Sequence, residues 1–242
     1  IVRRLVGSEM CIRDRVDSLI ISGRREEPLR DLEKELIGVV DVKVVIADLS
    51  TESGVDFLIE EAGELDILVN NAGYGLYGRV ADQDPDKLLG IVDVNIRALT
   101  KLGHHHSTSM RMRGKGKILN VASIAAFQPG PGLAVYCASK AYVLSLSRAM
   151  SAELKGSGVT VTALCPGYVE TGFQSTSGMK LTGVEIWSSL PAKSVAKKAV
   201  RAMMKGRREV IPGMINRFIP MFARILPIRI QLIIVKASLM MR

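Results

Sequence analysis

Six short runs rich in apolar and β-branched residues recur along the chain, and a stretch with helical spacing separates each from the next. The runs are 18–22 (SLIIS), 43–47 (KVVIA), 66–70 (DILVN), 117–121 (KILNV), 159–165 (VTVTALC) and 209–211 (EVI). Residues 26–37, 51–62, 85–112, 134–155 and 193–205 lie between them and place apolar side chains at helical intervals. Strands that are apolar along their whole length are buried on both faces. Parallel strands need a crossover of a dozen or more residues, usually a helix. The alternation therefore predicts an α/β protein with a parallel sheet covered on both faces. Right-handed crossovers make such a sheet doubly wound. Its ligands sit beyond the carboxyl ends of the strands.

The 242 residues are enough for one large domain, and 48% hydrophobic with 24% charged residues excludes disordered, fibrous and low-complexity classes. Cys11, Cys137 and Cys165 are too few for a disulfide framework, so a reducing, cytoplasmic setting is expected. No apolar run reaches the length of a membrane span, and the mixed N-terminus has no signal-peptide core. Charge is uneven. Residues 191–242 carry twelve Lys and Arg against Glu209 alone, whereas residues 1–190 are close to balance. The net +9 is thus a property of the C-terminal end. That excludes a fold-wide nucleic-acid stripe, and no nucleic-acid partner is expected.

Catalytic chemistry is suggested by Tyr136-Cys-Ala-Ser-Lys140, with Ser123 thirteen residues earlier. Tyr136 and Lys140 are one helical turn apart on one face. A nearby ammonium favours the phenolate and lowers a tyrosine pKa from about 10. Such a tyrosine can exchange a proton with an alcohol near neutral pH. Ser123 follows the strand KILNV, where its hydroxyl can hold a carbonyl oxygen.

These motifs, with those that follow, resemble the short-chain dehydrogenase/reductase family over residues 17 to about 212. Asn70-Asn-Ala-Gly73 looks like the family's NNAG element, and Asn95 in DVNIRAL matches its helix asparagine that holds a water against the lysine. Pro166-Gly167-Tyr168-Val169-Glu170-Thr171 resembles the nicotinamide-contacting segment, and Asp48 with Leu49 the adenine-reading one. The resemblance implies a Rossmann-like fold and a catalytic tetrad of Asn95, Ser123, Tyr136 and Lys140. It implies cofactor contacts at Asp48, Leu49, Asn70, Ala72, Gly73, Asn95, Tyr136, Lys140, Pro166, Gly167, Val169 and Thr171. After the first run the chain reads Ser22-Gly-Arg24-Arg25-Glu26. Guanidinium forks at Arg24 and Arg25 suit a ribose 2′-phosphate, so NADP(H) is expected over NAD(H), with Glu26 pulling the other way.

The implied activity is hydride transfer between NADP(H) and a carbonyl/alcohol pair. Ser123 would orient the oxygen, Tyr136 donate the proton, Lys140 lower the tyrosine pKa and Asn95 position a water. Leu76, Phe127, Leu133, Tyr168 and Phe173 flank the motifs and suggest a lipophilic ketone, 3-oxoacyl or steroid-like. A homo-oligomer through the helices holding Asn95 and Tyr136 is also implied. A non-catalytic binding or sensor protein on the same fold is the alternative. A sugar-nucleotide epimerase is disfavoured by the short chain after Thr171.

One family element is missing from the sequence. Before Gly23 the only glycine is Gly7, so no glycine-rich pyrophosphate loop can be drawn. The expectation is a sheet lacking its first strand and that loop. Residues 5–15 (LVGSEMCIRDR) resemble translated sequencing-adapter readthrough, so the expected division is a non-native 1–16, a dehydrogenase domain at 17–213 and a basic tail at 214–242; the competing reading is a divergent or cofactor-free member with a genuine new N-terminus. The tail has no acid and five basic residues. Arg217 and Arg224, like Arg229 and Lys236, are seven apart and share a helix face. Two readings stay open: an amphipathic surface resting on a membrane or wrapping a greasy substrate, or a helix packed on its own domain or a dimer partner. His104-His105-His106 cannot all face inward at 100° per residue, so an exposed or interface patch is expected there and no metal.

Overall fold

A computed structural model describes residues 16–169 and 189–240. Among the described residues six parallel strands carry the fold: β1 (Ser18–Gly23), β2 (Asp41–Ile46), β3 (Ile67–Asn70), β4 (Gly116–Val121), β5 (Val159–Leu164) and β6 (Glu209–Val210). Helices α1 (Glu26–Leu36), α2 (Glu52–Ala62), α3 (Pro85–Val92), α4 (Leu99–Arg113), α5 (Ala134–Glu153) and α6 (Ala192–Met204) make the crossovers. Two further helices, α7 (Ile219–Ile225) and α8 (Ile228–Met240), follow the last strand. Each expected run and helical stretch corresponds to one of these elements, with ends moved by a residue or two, except that 85–112 divides into α3, a π-helical turn and α4.

Local chemistry explains the boundaries. Thr51 caps α2 by accepting the Gly54 N–H at 3.0 Å. Asp84 caps α3 through the Asp86 N–H, with Pro85 in the first turn where its missing donor costs nothing. Gly114 ends α4 at φ 71°, the left-handed conformation a side chain would resist.

The strand alternation sorts side chains to two faces of β3–β4–β5. Val69, Leu119 and Leu164 pack under Val195, Ala199 and Met203 of α6. Leu68, Ile118 and Val161 pack against Val55 of α2 and Leu102 and Met110 of α4. A separate cluster of Leu19, Ile21, Leu29 and Leu36 joins α1 to β1 and β2. Fully burying each such side chain contributes about 1.5–3 kcal/mol, so these layers hold the frame that carries the site.

The expectation of a missing first strand is corrected here. The order opens with β1, paired in parallel with β2 from Ser18↔Asp41 to Gly23↔Ile46. The sequence argument tied that strand to a glycine-rich loop. A strand needs only a β-branched apolar run and a partner, and SLIIS with DVKVVI supplies both. The α/β, parallel architecture is as expected, but its hydrogen bonding is not continuous. Among the described residues β1 and β2 form one sheet and β3–β4–β5–β6 another. A cavity of about 410 Å³ lies between them, lined by Ser18–Ile20 and Ser22 on one side and Asp66–Asn70 on the other.

Candidate active site

The carboxyl ends of β3 and β4, the start of α5 and one turn ahead of α4 converge on a single region. Asn70 closes β3 and donates from Nδ2 to Asn120 Oδ1 at 2.9 Å. Asn120 donates in turn to Ser147 Oγ at 2.9 Å, and Ser147 to the Val143 carbonyl at 2.6 Å. Asn70, Asn120 and Ser147 are all buried, so this chain joins β3, β4 and α5 in an apolar interior.

Asn95 is fully buried and sits in a π-helical turn, Asp93–Ala98, between α3 and α4. Such turns recur at functional sites because they re-aim one side chain within a helix. Asn95 Nδ2 donates to the Tyr74 carbonyl at 3.0 Å and to Ser139 Oγ at 2.9 Å, and Oδ1 accepts the Tyr74 N–H at 3.1 Å. Both amide hydrogens are thus used and one acceptor site of Oδ1 remains. The side chain staples the loop after β3 to α5.

Tyr136 and Lys140 lie on α5, with the ammonium 5.9 Å from the centre of the phenol ring. Lys140 is buried and donates to the Val121 carbonyl at 2.7 Å. Ser123 is also buried and opens the 3₁₀ turn Ile124–Phe127, its hydroxyl accepting the Ala125 N–H at 3.1 Å. Two glycines explain how the loop comes so close. A Cβ on Gly73 would lie 3.0 Å from Asn95 Oδ1 and 3.2 Å from Lys140 Nζ. A Cβ on Gly75 would lie 2.8 Å from the Tyr136 ring. The structure therefore brings Asn95, Lys140 and Tyr136 around the Gly73–Gly75 loop, with Ser123 at the neighbouring strand end. Tyr142, two residues after Lys140, is turned away and shares a hydrogen bond with Thr100 at 2.9 Å.

The residues expected on the adenine side lie at the ends of β1 and β2. Asp48 accepts from the Ser50 N–H at 2.9 Å and its hydroxyl at 2.7 Å. Burial works to raise its carboxyl pKa, but these bonds and the Arg24 charge together hold it below the ordinary value. Burial raises Tyr74, and Arg24 opposes that shift. Arg24 thus faces Asp48 and Tyr74 electrostatically while itself exposed. Arg25 is exposed at the cap of α1, and Glu26 is held by Arg30 at 3.2 Å. Leu49, Asn70 and Ala72 line the inter-sheet cavity. Gly167 backs onto Asn216, whose amide a Cβ there would strike, and Val169 bridges to Leu190. Thr171 and Phe173 lie outside the described residues.

The loop and α5 also carry apolar surface. Leu133 and Cys137 pack with Tyr77, Ala125, Tyr136 and Tyr168. Leu76 is half-buried, whereas Phe127 packs in a different cluster beneath Arg148. Burial pushes the Cys137 and Cys165 thiols up to about 11 and about 12. His106 differs from the expected exposed or interface patch. It is the third of three successive helical positions and turns into the core, where burial, with His105 and Arg113 adding to it, lowers its pKa to about 4. Among the described residues no His, Cys, Asp and Glu are grouped as a metal site.

Sequence reasoning missed Ser139, Asn120 and Ser147. Ser139 accepts from Asn95 and donates to the Tyr136 carbonyl at 2.8 Å, and its place inside Tyr-Cys-Ala-Ser-Lys was the available signal. Asn120 and Ser147 sit in an apolar strand and helix, where a polar residue surrounded by buried neighbours marks an internal partner.

A family model described as short chain dehydrogenase matches residues 8–181. The chain belongs to the short-chain dehydrogenase family. It is an oxidoreductase with the Rossmann-like fold of that family. The match begins ahead of residue 17, where the motifs first made the likeness readable, and ends short of 212. Sulfoacetaldehyde reductase 2 of Chromohalobacter salexigens is 38% identical over 162 residues, 64% of this chain and 64% of that one. The 3-oxoacyl-[acyl-carrier-protein] reductase FabG of Rickettsia felis is 35% identical over 156 residues, 63% of each. The chain thus spans just under two thirds of the length of these two relatives. A short-chain dehydrogenase from Sphingobium yanoikuyae, solved with NADPH, superposes with TM-score 0.79 at 24% identity over 87% of this chain and 84% of that one.

Proposed function

We propose that this short-chain dehydrogenase interconverts a carbonyl and a secondary alcohol on a lipophilic substrate, using NADP(H). The observation that carries the reading is the gathering of Tyr136, Lys140 and Asn95 around Gly73 and Gly75, beside Ser123. The residues present suit a dinucleotide. The Ser22 hydroxyl is buried without a hydrogen-bond partner at the wall of the cavity that Leu49, Asn70 and Ala72 also line. Gly73 leaves open backbone where a side chain would crowd Asn95 and Lys140.

Bound nicotinamide supplies or accepts the hydride. The chain's own residues do the rest. Ser123 holds the substrate oxygen by its hydroxyl. Tyr136 passes a proton to that oxygen or takes one from it. The Lys140 charge favours the phenolate, and the Val121 carbonyl fixes the ammonium beside the ring. Asn95 keeps the loop against α5 and has one acceptor site left for a water that returns the proton.

Three further parts of the reading rest on particular residues. Arg24 and Arg25 are exposed at the end of β1, while Arg30 holds the Glu26 carboxylate that would favour an unphosphorylated ribose. That supports NADP(H). Leu133, Tyr77 and Tyr168 around Tyr136 support a lipophilic ketone, as does the relative named for 3-oxoacyl reduction. A cytoplasmic homo-oligomer assembled through α4 and α5 completes the proposal.

The test is Tyr136→Phe in the full chain. Ketone-dependent oxidation of NADPH should fall about 10²–10⁴-fold, the range for loss of a general acid–base group, with NADPH affinity nearly unchanged. Near-normal turnover would refute the assignment.

A further inference from the structure

We propose that α7 and α8 form a docking surface for an anionic lipid bilayer. The inference is independent of the catalytic reading.

The first observation is apolar exposure. Among the described residues, eleven of the twenty exposed large hydrophobic side chains fall between Met214 and Ile234. Phe218, Met221, Phe222 and Ile225 project from α7 and the turn before it, and Ile233 and Ile234 from α8. Ile225 is 72% exposed and Ile233 68% exposed. Scattered apolar side chains need no explanation, but this concentration in one short segment marks a contact.

The second observation is that this segment is built rather than loose. Gln231 is buried on α8 and its Nε2 donates to the Ala223 and Leu226 carbonyls, each at 2.7 Å. It thereby satisfies carbonyls at the end of α7 and ties the start of α8 to them. Val235, one turn further along α8, is also buried. Gln231 and Val235 form the inward stripe, and Leu232, Ile233 and Ile234 between them point out. At the other end, Asn216 is buried and donates to the Pro212 carbonyl at 2.9 Å. Helix α7 itself packs on the Ile124–Phe127 turn that follows Ser123.

The third observation selects the occupant. Arg217, Arg224, Arg229 and Lys236 are exposed on the same segment, and no acidic residue follows Glu209 in the chain. Apolar side chains flanked by long cations suit the boundary between acyl chains and anionic headgroups, where the cations extend to the phosphates. A two-fold contact made by this segment alone would bring its cations together with no carboxylate of the segment to pair them. No described helix is long and apolar enough to cross a membrane, so the segment would lie on the surface.

The experiment is sedimentation of the full chain with vesicles of phosphatidylcholine alone or mixed with phosphatidylserine. Binding is expected to the anionic vesicles and to weaken with added salt. Each cation near such a surface is worth about a fivefold change in partitioning, so Arg224→Gln with Arg229→Gln should weaken binding about 25-fold. Phe222→Ser with Ile233→Ser should weaken binding at all salt concentrations. These side chains are exposed, and circular dichroism of each variant verifies that it is folded. Equal binding to neutral and anionic vesicles, or no binding by the folded chain, would overturn the proposal. So would a dimer that Phe222→Ser dissociates in the absence of any vesicle binding, because the patch would then be a subunit interface.

Discussion

Replacing Gly75 by alanine tests the site through a residue that makes no chemical contribution of its own. The added Cβ would lie 2.8 Å from Tyr136 Cδ2, 2.9 Å from Cγ and 3.1 Å from Cβ. Ordinary contact begins near 3.4 Å, so the ring or the loop must move by roughly 0.5–1 Å. The Tyr136 Cβ belongs to α5, which is packed along its length on β5, so the displacement falls on the loop and the ring. Gly75 is not at positive φ, so the alanine carries no backbone strain. Its chain-entropy gain of about 0.4–1 kcal/mol partly offsets an overpacking cost of about 1–3 kcal/mol. The protein should therefore stay folded with a small drop in Tm. A misplacement near 1 Å of a reacting group costs on the order of 10²-fold in rate. We expect kcat to fall by about that factor while NADPH affinity changes little, measured by steady-state kinetics and by quenching of NADPH fluorescence. In a Tyr136→Phe background the same substitution should cost almost nothing further, because both changes act on one proton donor. Unchanged kcat in Gly75→Ala, or full additivity with Tyr136→Phe, would refute the placement of Tyr136 as the proton donor beside this loop.

Other expectations follow from single interactions. Asn120→Ala strands the Asn70 amide in the interior and removes the donor to Ser147, so stability should fall by about 2–4 kcal/mol by denaturant titration. A loss under about 0.5 kcal/mol would show the network to be dispensable. The folded His106 pKa of about 4 lies below the ordinary 6.5, so the unfolded chain binds the proton first. Its contribution is intact above about pH 6.5 and is lost as pH falls towards 4, and His106→Leu should flatten that part of the stability profile. An unchanged slope would mean another group carries it. Arg24→Ala should lower kcat/KM for NADPH about 10–100-fold and leave NADH nearly unaffected, the loss expected of one charge-assisted contact. Equal losses with both cofactors would argue against a 2′-phosphate site.

Much of the frame was legible because it is set by local pattern. SLIIS, DILVN and KILNV carry strand chemistry in themselves, and the helices between them bury stripes that recur at helical spacing. Tyr136 and Lys140 could be placed on one face because four residues make one turn. What was not legible depends on partners distant in sequence. The stretch 85–112 reads as one helix, yet it contains the π turn at Asp93–Ala98 that aims Asn95, and periodicity does not register a single extra residue. Asn120 and Ser147 look like ordinary polar interruptions until the strands are paired. His104, His105 and His106 were read together as a patch because three successive helical residues cannot share one inward face, but that spacing leaves one of them free to turn inward, and His106 does. A first strand was expected to be lacking because the glycine-rich loop was, even though SLIIS itself reads as a strand and forms β1. The separation of β1–β2 from the other four strands is a matter of non-local hydrogen bonding, which no run of residues announces.

In the proposed reaction Tyr136, beside Lys140 and the glycine loop that Asn95 fastens to α5, moves a proton during NADP(H)-linked carbonyl reduction. The most direct measurement is oxidation of NADPH by the full chain, with and without a lipophilic ketone, followed by the absorbance of the reduced nicotinamide. The expected result is oxidation that depends on the ketone, saturates with it and disappears in Tyr136→Phe. NADPH that binds but is never oxidised across a panel of ketones, or oxidation that survives Tyr136→Phe, would contradict it.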